Sequence, residues 1–230
     1  MAKSEQVPFW NEIILLSLAM CVIYWFFGRY TFFNSMFMNI IDSFWLDILK
    51  HVYQFFTSFV LLFLFPFSLL KHNRKMPEHK FGLQSGDNKF NKILYFISFV
   101  AIIVVWFGSD DPSLQSEYPL SKNIASALWL LILYEFLYLF YYIGWEFHFR
   151  GLLTLGLSEK NKWFAIMYTT LISTIMHYGK PFSEIMGAAF IGILFGILIL
   201  KGQSIGPFLF VHYLLGVAND IFCLIRLGLL

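Results

Sequence analysis

The residues of this chain that could do chemistry are concentrated after residue 125. Glu146 and Arg150 lie four positions apart in one long apolar stretch, His177 ends the next stretch, and His212 lies inside the last one. Ionisable side chains at membrane depth are costly and usually functional. A carboxylate and two imidazoles could activate a water molecule and stabilise an oxyanion. We therefore expect any chemistry of this chain to lie in its C-terminal half.

Composition defines the surroundings of these residues. Apolar residues (AVILMFWYC) make up 59% of the 230 residues and charged residues 13%, whereas soluble domains have about 45–50% and about 25%. The net charge of +2 is too small to suggest nucleic acid as a partner. Cys21 and Cys223 both lie in apolar runs, so we expect neither a disulfide nor a Cys-x-x-Cys metal site. The sequence predicts an integral, multi-pass membrane protein whose surroundings are the lipid bilayer.

Apolar segments of about 20 residues are long enough to cross a bilayer as helices. Their number predicts an all-α fold, a polytopic transmembrane helix bundle of about seven to eight spans. Residues 1–123 would form N-terminal helices with a basic cytoplasmic loop, and residues 124–230 the core helices that carry the candidate site. The aromatic segment 32–49 is predicted to be interfacial, with a half-inserted eighth span as the alternative. The seven predicted helices cover residues 9–27, 53–70, 93–107, 125–157, 163–177, 184–200 and 207–225.

Basic residues are concentrated in alternate loops. The loop between the second and third predicted helices is the most basic. Lys160 and Lys201 lie in the two later loops that alternation places on the same side of the membrane. The loop that contains Asp110 and Glu117 is acidic instead. Because Lys and Arg are retained on the cytoplasmic side, we expect a cytoplasmic N-terminus. The basic residues of the first loop are Lys71, Arg74, Lys75, Lys80, Lys89 and Lys92.

Each candidate residue also has a structural explanation. Glu146 and Arg150 have the i,i+4 order that favours an intrahelical ion pair, and a single histidine such as His177 or His212 is often a satisfied core residue. A helical rise of 1.5 Å per residue places Glu146 roughly 16 Å and His177 roughly 22 Å from the turn between their helices. The two side chains could therefore share a cavity bounded by the fourth to seventh helices, open toward the cytoplasm or to lipid.

Other polar residues of this half are assigned structural roles. His148 points away from the Glu146 face and is predicted to be an interfacial or core histidine. Glu184 lies in the first turn of a helix, where a carboxylate complements the helix dipole. Glu135 lies three turns from Glu146, too far for a catalytic pair. The Gly192-xxx-Gly196 spacing predicts close helix packing.

Taken in order, these segments resemble the CPBP family of CAAX-processing and bacteriocin-processing membrane proteases, also called Abi proteins. The residues that carry the resemblance are Glu146-Phe-His-Phe-Arg150, then His177-Tyr-Gly-Lys-Pro, then Glu184 before a glycine-spaced helix, and His212. The resemblance covers about residues 125–222.

This sequence departs from the family pattern at three positions. The first glutamate of the family's Glu-Glu-xxx-Arg motif falls on Trp145, and the phenylalanine of Phe-xxx-His falls on Ser173. The asparagine of the last motif falls on Gly216, although Asn219 follows one turn later on the face of His212.

The resemblance implies an intramembrane endopeptidase of the type II CAAX prenyl kind, in a bacterial plasma membrane. It would hydrolyse a peptide bond of a membrane-tethered protein or peptide with a water activated by Glu and His. The site would consist of Glu146, His177 and His212, with Arg150 orienting Glu146 and Asn219 as a further candidate. Because Trp145 replaces a glutamate that the family uses to activate water, a non-catalytic membrane scaffold, immunity factor or regulatory protein is the alternative.

A metal-free glutamate mechanism is favoured, because the His-Glu-x-x-His spacing of many zinc proteases is absent. The family was long described as metalloproteases, however. One carboxylate and two histidines form a plausible three-ligand zinc set with an open fourth position. Zinc held by Glu146, His177 and His212 is therefore the alternative to a site without a cofactor.

Overall fold

The computed structural model describes residues 9–74, 77–86 and 88–230, and within these ranges the chain is all-helical with no strand. Three α-helices, Phe9–Ile23, Ser43–Ser58 and Leu128–Glu146, each continue directly into a wider π-helical stretch. The α-helices are α1 Phe9–Ile23, α2 Tyr30–Phe37, α3 Ser43–Ser58, α4 Phe65–Arg74, α5 Asn88–Gly108, α6 Pro112–Glu117, α7 Leu128–Glu146, α8 Gly156–Ser158, α9 Lys162–Met176, α10 Phe182–Gly202 and α11 Gly206–Arg226. The π-helical stretches are Tyr24–Gly28, Phe59–Leu64 and Phe147–Leu155, and single 3-10 turns cover Glu78–Phe81 and Lys122–Ser126.

The helical bundle predicted from the sequence is confirmed. Each of the seven predicted helices corresponds to a long helix in the described part of the chain. Five of these segments are long and apolar enough to cross a membrane, and the apolar part of α5 and the helix α9 are shorter. The division of the chain at residue 123 stays a prediction, although α3 on one side packs against α7 on the other.

The segment 32–49 differs from its prediction, because the second long helix begins at Ser43. The carboxylate of Asp42 accepts a hydrogen bond from the Phe44 N–H at 2.9 Å, which caps this helix. Ile48 is buried in a core cluster with Tyr134 of α7. Residues 43–49 therefore belong to a long helix, and only α2 forms a short separate element.

Small residues let neighbouring helices approach α7 and α9 closely. A Cβ at Gly144 would lie 2.4 Å from the Ser58 backbone oxygen, so any larger residue would push α7 away from α3. Cβ atoms at Gly192 and Gly196 would lie 2.9 Å and 3.0 Å from α9 side chains, as the predicted packing role requires. The stretch Phe147–Leu155 is buried along its whole length. This stretch is the centre of the bundle.

The two ends of the bundle carry different charges. At one end Lys80 pairs with Glu159, and the Ser204 hydroxyl donates to the Gln84 backbone oxygen at 2.6 Å, so the three basic loops lie together. Arg226 pairs with Asp110 at 2.9 Å at the opposite end. Lys75 of the basic loop lies outside the described residues. The membrane side on which each end lies stays a prediction.

Candidate active site

Glu146 and His212 form the closest contact among the predicted site residues. Glu146 is the last residue of α7 and is fully buried, and His212 lies near the start of α11. The Nδ1–H of His212 donates to Glu146 Oε1 at 2.6 Å. A carboxylate bound to Nδ1 fixes the imidazole tautomer and leaves Nε2 as a hydrogen-bond acceptor. The sequence places these residues 66 positions apart, and the fold brings them together.

Arg150 lies on the other side of the same carboxylate. Its Nε is 3.7 Å from Glu146 Oε2, and its guanidinium lies 5.6 Å from the centre of the Phe195 ring. The Nε and Nη1 groups have no hydrogen-bond partner among the described residues. Glu146 therefore lies between an imidazole and a guanidinium, and the charge of Arg150 balances the buried carboxylate.

His177 follows α9 directly and is fixed by the backbone. Its Nδ1–H donates to the Ser173 backbone oxygen at 2.7 Å, so Nε2 is again the free acceptor. The ring of Trp145 meets the His177 ring edge-on, with the ring centres 5.2 Å apart. Trp145 in turn stacks on Tyr141 at 5.5 Å. An aromatic wall thus occupies the position where the family motif has its first glutamate.

Two adjoining cavities meet at these side chains. The smaller has a volume of about 60 Å³ and the larger about 230 Å³. A water molecule occupies about 30 Å³ in the liquid, so the pair offers room for several waters or for part of a peptide. The residues that line both cavities are Trp145, His177, Glu184 and His212.

The larger cavity is bounded by α7 with its π-helical continuation, α9, α10 and α11, as the sequence predicted. It lies between α10, which packs mainly on α9, and α11, which packs mainly on α5 and α7. The smaller cavity extends instead toward Gln54 of α3 and Tyr118. Tyr118 belongs to the end of the bundle opposite the basic loops. The expected opening, toward the cytoplasm or laterally to lipid, stays a prediction.

Glu184 is a residue of the cavity wall that the sequence analysis assigned to the helix dipole. Its Oε1 accepts a hydrogen bond from the Tyr118 hydroxyl at 2.8 Å, while Oε2 is buried and has no partner among the described residues. Lys180 donates to the Tyr118 oxygen at 3.1 Å and to Glu117 at 2.6 Å. Burial is the main cause that raises the pKa of Tyr118 well above its ordinary value, and the negative charge of Glu184 is the second. This phenol therefore stays a neutral donor.

Gln54, Tyr118 and Lys180 are further residues of the cavity wall that sequence reasoning missed. Gln54 lies in a mainly apolar helix, and Tyr118 lies in a loop. Neither residue has a sequence distance from Glu146, His177 or His212 that would indicate a place in the site. Lys180 and Glu184 lie three and seven residues after His177, and this proximity was the one available signal.

Two other predicted residues lie away from the cavities. Asn219 lines neither cavity. Its side-chain oxygen accepts a long hydrogen bond of 4.0 Å from the Cys223 thiol. His148 is fully buried, with Nε2 at 2.8 Å from the Ser17 hydroxyl and 3.4 Å from the Cys21 sulfur. His148 is therefore a core histidine, as predicted.

No group of three or more His, Cys, Asp or Glu side chains in the described ranges is arranged to hold a metal ion. The Nδ1 of His212 is occupied by Glu146, and the Nδ1 of His177 by a backbone oxygen. Zinc held by Glu146, His177 and His212 stays a prediction.

Fold and site together define a polytopic helical membrane protein with a histidine–carboxylate cluster at an intramembrane cavity. The family model described as type II CAAX prenyl endopeptidase, Rce1-like, matches residues 126–218. This segment contains every predicted site residue except Asn219, and over it the chain is similar to that family of proteases. Among curated proteins and solved structures, none matches the chain.

Proposed function

We propose that this protein is an intramembrane endopeptidase that hydrolyses a peptide bond of a membrane-tethered protein or peptide. The observation that carries the proposal is the convergence of His212, fixed by Glu146, and His177 on the same cavity wall. The match to a family of proteases over this segment supports it. A scaffold would have no need of two imidazoles whose free Nε2 atoms are left as acceptors.

The geometry supports a division of roles among these residues. A water molecule in the cavity would be oriented by the Nε2 atoms of His177 and His212 for attack on the peptide carbonyl. Glu146 would hold His212 in one tautomer and stabilise positive charge on it. Arg150 orients Glu146 and also lines the larger cavity, so its positive charge is available to the oxyanion of the tetrahedral intermediate.

The position of the larger cavity supports a substrate that arrives from the bilayer. Ile191 and Phe195 of α10 and Leu215 of α11 give this cavity an apolar wall between two helices that have different main packing partners. A peptide tethered by a lipid or a hydrophobic segment could enter there without crossing the polar surface. The basic loops at one end support a cytoplasmic N-terminus in a plasma membrane.

The proposal is tested with purified protein in liposomes and a quenched fluorescent peptide that ends in Cys and three further residues. The peptide is made in a farnesylated form and in a form without lipid. We expect the wild type to cut the lipidated peptide, and His177→Ala and His212→Gln to lose about 10²–10⁴-fold in kcat/KM. In water labelled with heavy oxygen, the new carboxyl group should carry the label.

His79→Ala is the matched control, because His79 is exposed in the 3-10 turn near the basic loops. This variant should cut as fast as the wild type. A wild type that binds the peptide but never cuts it in either form would contradict the peptidase function and favour the non-catalytic alternative.

A further inference from the structure

Hydrolysis needs an atom that accepts the proton of the attacking water, and Glu146 is poorly placed for this. Both of its oxygens face cations or donors, namely the His212 Nδ1–H and the Arg150 guanidinium. Its side chain is fully buried and lines neither cavity. Glu146 can therefore act on the water only through His212, which makes it a positioning residue.

Glu184 has the features that Glu146 lacks. Its side chain is part of the wall of both cavities, together with His177 and His212. The Tyr118 hydroxyl donates to Oε1 and orients the carboxylate, and this leaves Oε2 without a partner. A buried carboxylate oxygen without a donor is costly, and a water in the cavity would satisfy it.

The sequence gives this position a plain explanation, since a carboxylate in the first turn of a helix complements the helix dipole. That explanation accounts for a glutamate at the start of α10 but not for the burial of its Oε2 atom or for its place in the cavity wall. An exposed carboxylate would serve the dipole equally well. The wall position and the free oxygen therefore need a further reason.

We propose that Glu184 is the catalytic base of the reaction, an inference that rests on the proposed function. Oε2 takes one proton from a water held by His177, and the remaining hydroxide forms a bond with the peptide carbonyl carbon. The carbonyl electron pair moves to oxygen, which becomes the oxyanion. When the pair returns and the C–N bond breaks, the Glu184 carboxyl gives its proton to the leaving nitrogen and is again a carboxylate.

The first test compares Glu184→Gln with Glu117→Gln. Both glutamates belong to the network around Lys180 and Tyr118, but Glu117 lines neither cavity. With the liposome assay and the farnesylated peptide, we expect Glu184→Gln to lose about 10²–10⁴-fold in kcat with little change in KM. Glu117→Gln should stay within about twofold of the wild type, because it removes no proton acceptor.

The pH profile provides a readout that a purely structural role would not move. The titratable and charged groups around Glu184 are Tyr118, Glu117, Lys180, His177 and His212. The acid limb of the kcat/KM profile should shift in Glu184→Gln and stay unchanged in Glu117→Gln. Glu184→Asp, which keeps the carboxylate one methylene farther from the water, should have intermediate activity.

A rescue experiment completes the test. Trp145 lines both cavities beside His177, so a carboxylate placed there would face the same water. The double variant Trp145→Glu with Glu184→Gln should recover at least about tenfold over Glu184→Gln alone.

The possible outcomes separate the two proposals. If Glu184→Gln cuts at the wild-type rate while His177→Ala is inactive, the peptidase function stands and the role of Glu184 is overturned. If Glu184→Gln loses activity but its residual activity keeps an unchanged acid limb, and Glu184→Asp is no better, the glutamate is structural. A wild type that never cuts removes the proposed function, and the catalytic base with it.

Discussion

The helices α7 and α11 pack against each other at two levels, and each level buries a pair of ionisable residues. At one level Glu146 meets His212, and at the other Glu135 lies against Asp220. All of the carboxylates are buried. Glu146 has a donor in His212 and a cation in Arg150, whereas the carboxyl groups of Glu135 and Asp220 have no hydrogen-bond partner other than each other among the described residues.

The two levels differ in access to space as well as in partners. His212 lines both cavities beside Glu146, whereas neither Glu135 nor Asp220 lines either of them. Two facing carboxyl groups in an apolar environment are satisfied when one of them carries a proton that the other accepts. Burial of charge therefore does not identify a site by itself. A complementary partner and a neighbouring cavity distinguish the Glu146–His212 pair, which we expect to be reactive, from the Glu135–Asp220 acid pair, which joins two helices.

The largest expected effect comes from replacing one glutamate at each level by glutamine. Glu146→Gln removes the charge that fixes and stabilises His212, so we expect kcat/KM to fall by about 10²–10⁴-fold. Glu135→Gln replaces a carboxyl group by a neutral amide that can still donate to Asp220, and activity should stay within about twofold, since a neutral hydrogen bond is exchanged for another worth about 1 kcal/mol. The liposome peptide assay measures both.

Membrane accumulation, followed by quantitative immunoblotting, is the control for this comparison. Both variants should accumulate normally, because the amide oxygen in Glu146→Gln still faces the Arg150 guanidinium. Equal activities of the two variants would break the distinction between the levels. A loss of protein in Glu146→Gln with no change in activity per molecule would assign Glu146 to neutralising Arg150.

The second effect concerns stability and uses the nearest cation at each level. Arg150→Met leaves the buried Glu146 carboxylate with His212 alone, which should destabilise the protein by about 3–5 kcal/mol. Burial lowers the pKa of Lys122, which interacts electrostatically with Asp220. Lys122 also donates to the Pro119 backbone oxygen at 2.8 Å.

Because Lys122 is only half-buried, we expect Lys122→Met to cost about 1 kcal/mol or less. Thermal unfolding in detergent should therefore show Tm falling by about 6–20 °C for Arg150→Met and by a few degrees for Lys122→Met. A larger fall for Lys122→Met would mean that the acid pair depends on its cation more than Glu146 does.

The sequence predicted the helices well because the bilayer sets their length and composition together. The i,i+4 spacing of Glu146 and Arg150 also predicted their ion pair, since this contact is local to one helix. Contacts between helices could not be predicted in this way. The carboxylate of Glu146 could have met either histidine, and the packing of α11 on α7 decides that it meets His212.

The residues that sequence reasoning missed illustrate the same limit. Gln54 reaches the cavity because Gly144 lets α3 approach α7 closely, a condition that no spacing within α3 reveals. Glu184 gains its partner from Tyr118, 66 positions earlier in the chain. Catalytic roles therefore follow from long-range packing, whereas the helices that carry them follow from local composition.

The smallest expected effect is that of Asn219→Ala, and it tests where the boundary between the two levels lies. Asn219 was a candidate for holding the oxyanion because it shares the face of His212, seven residues later on α11. That spacing corresponds to about 10 Å along a helix, and the side chain lines neither cavity. We expect kcat/KM to change by less than about twofold, whereas removing an oxyanion donor costs about 10²–10³-fold. A loss of that size in the liposome assay, with normal accumulation, would extend the reactive level of α11 one to two turns toward Asp220. The acid pair would then lie beside the substrate, and its separation from the site would no longer hold.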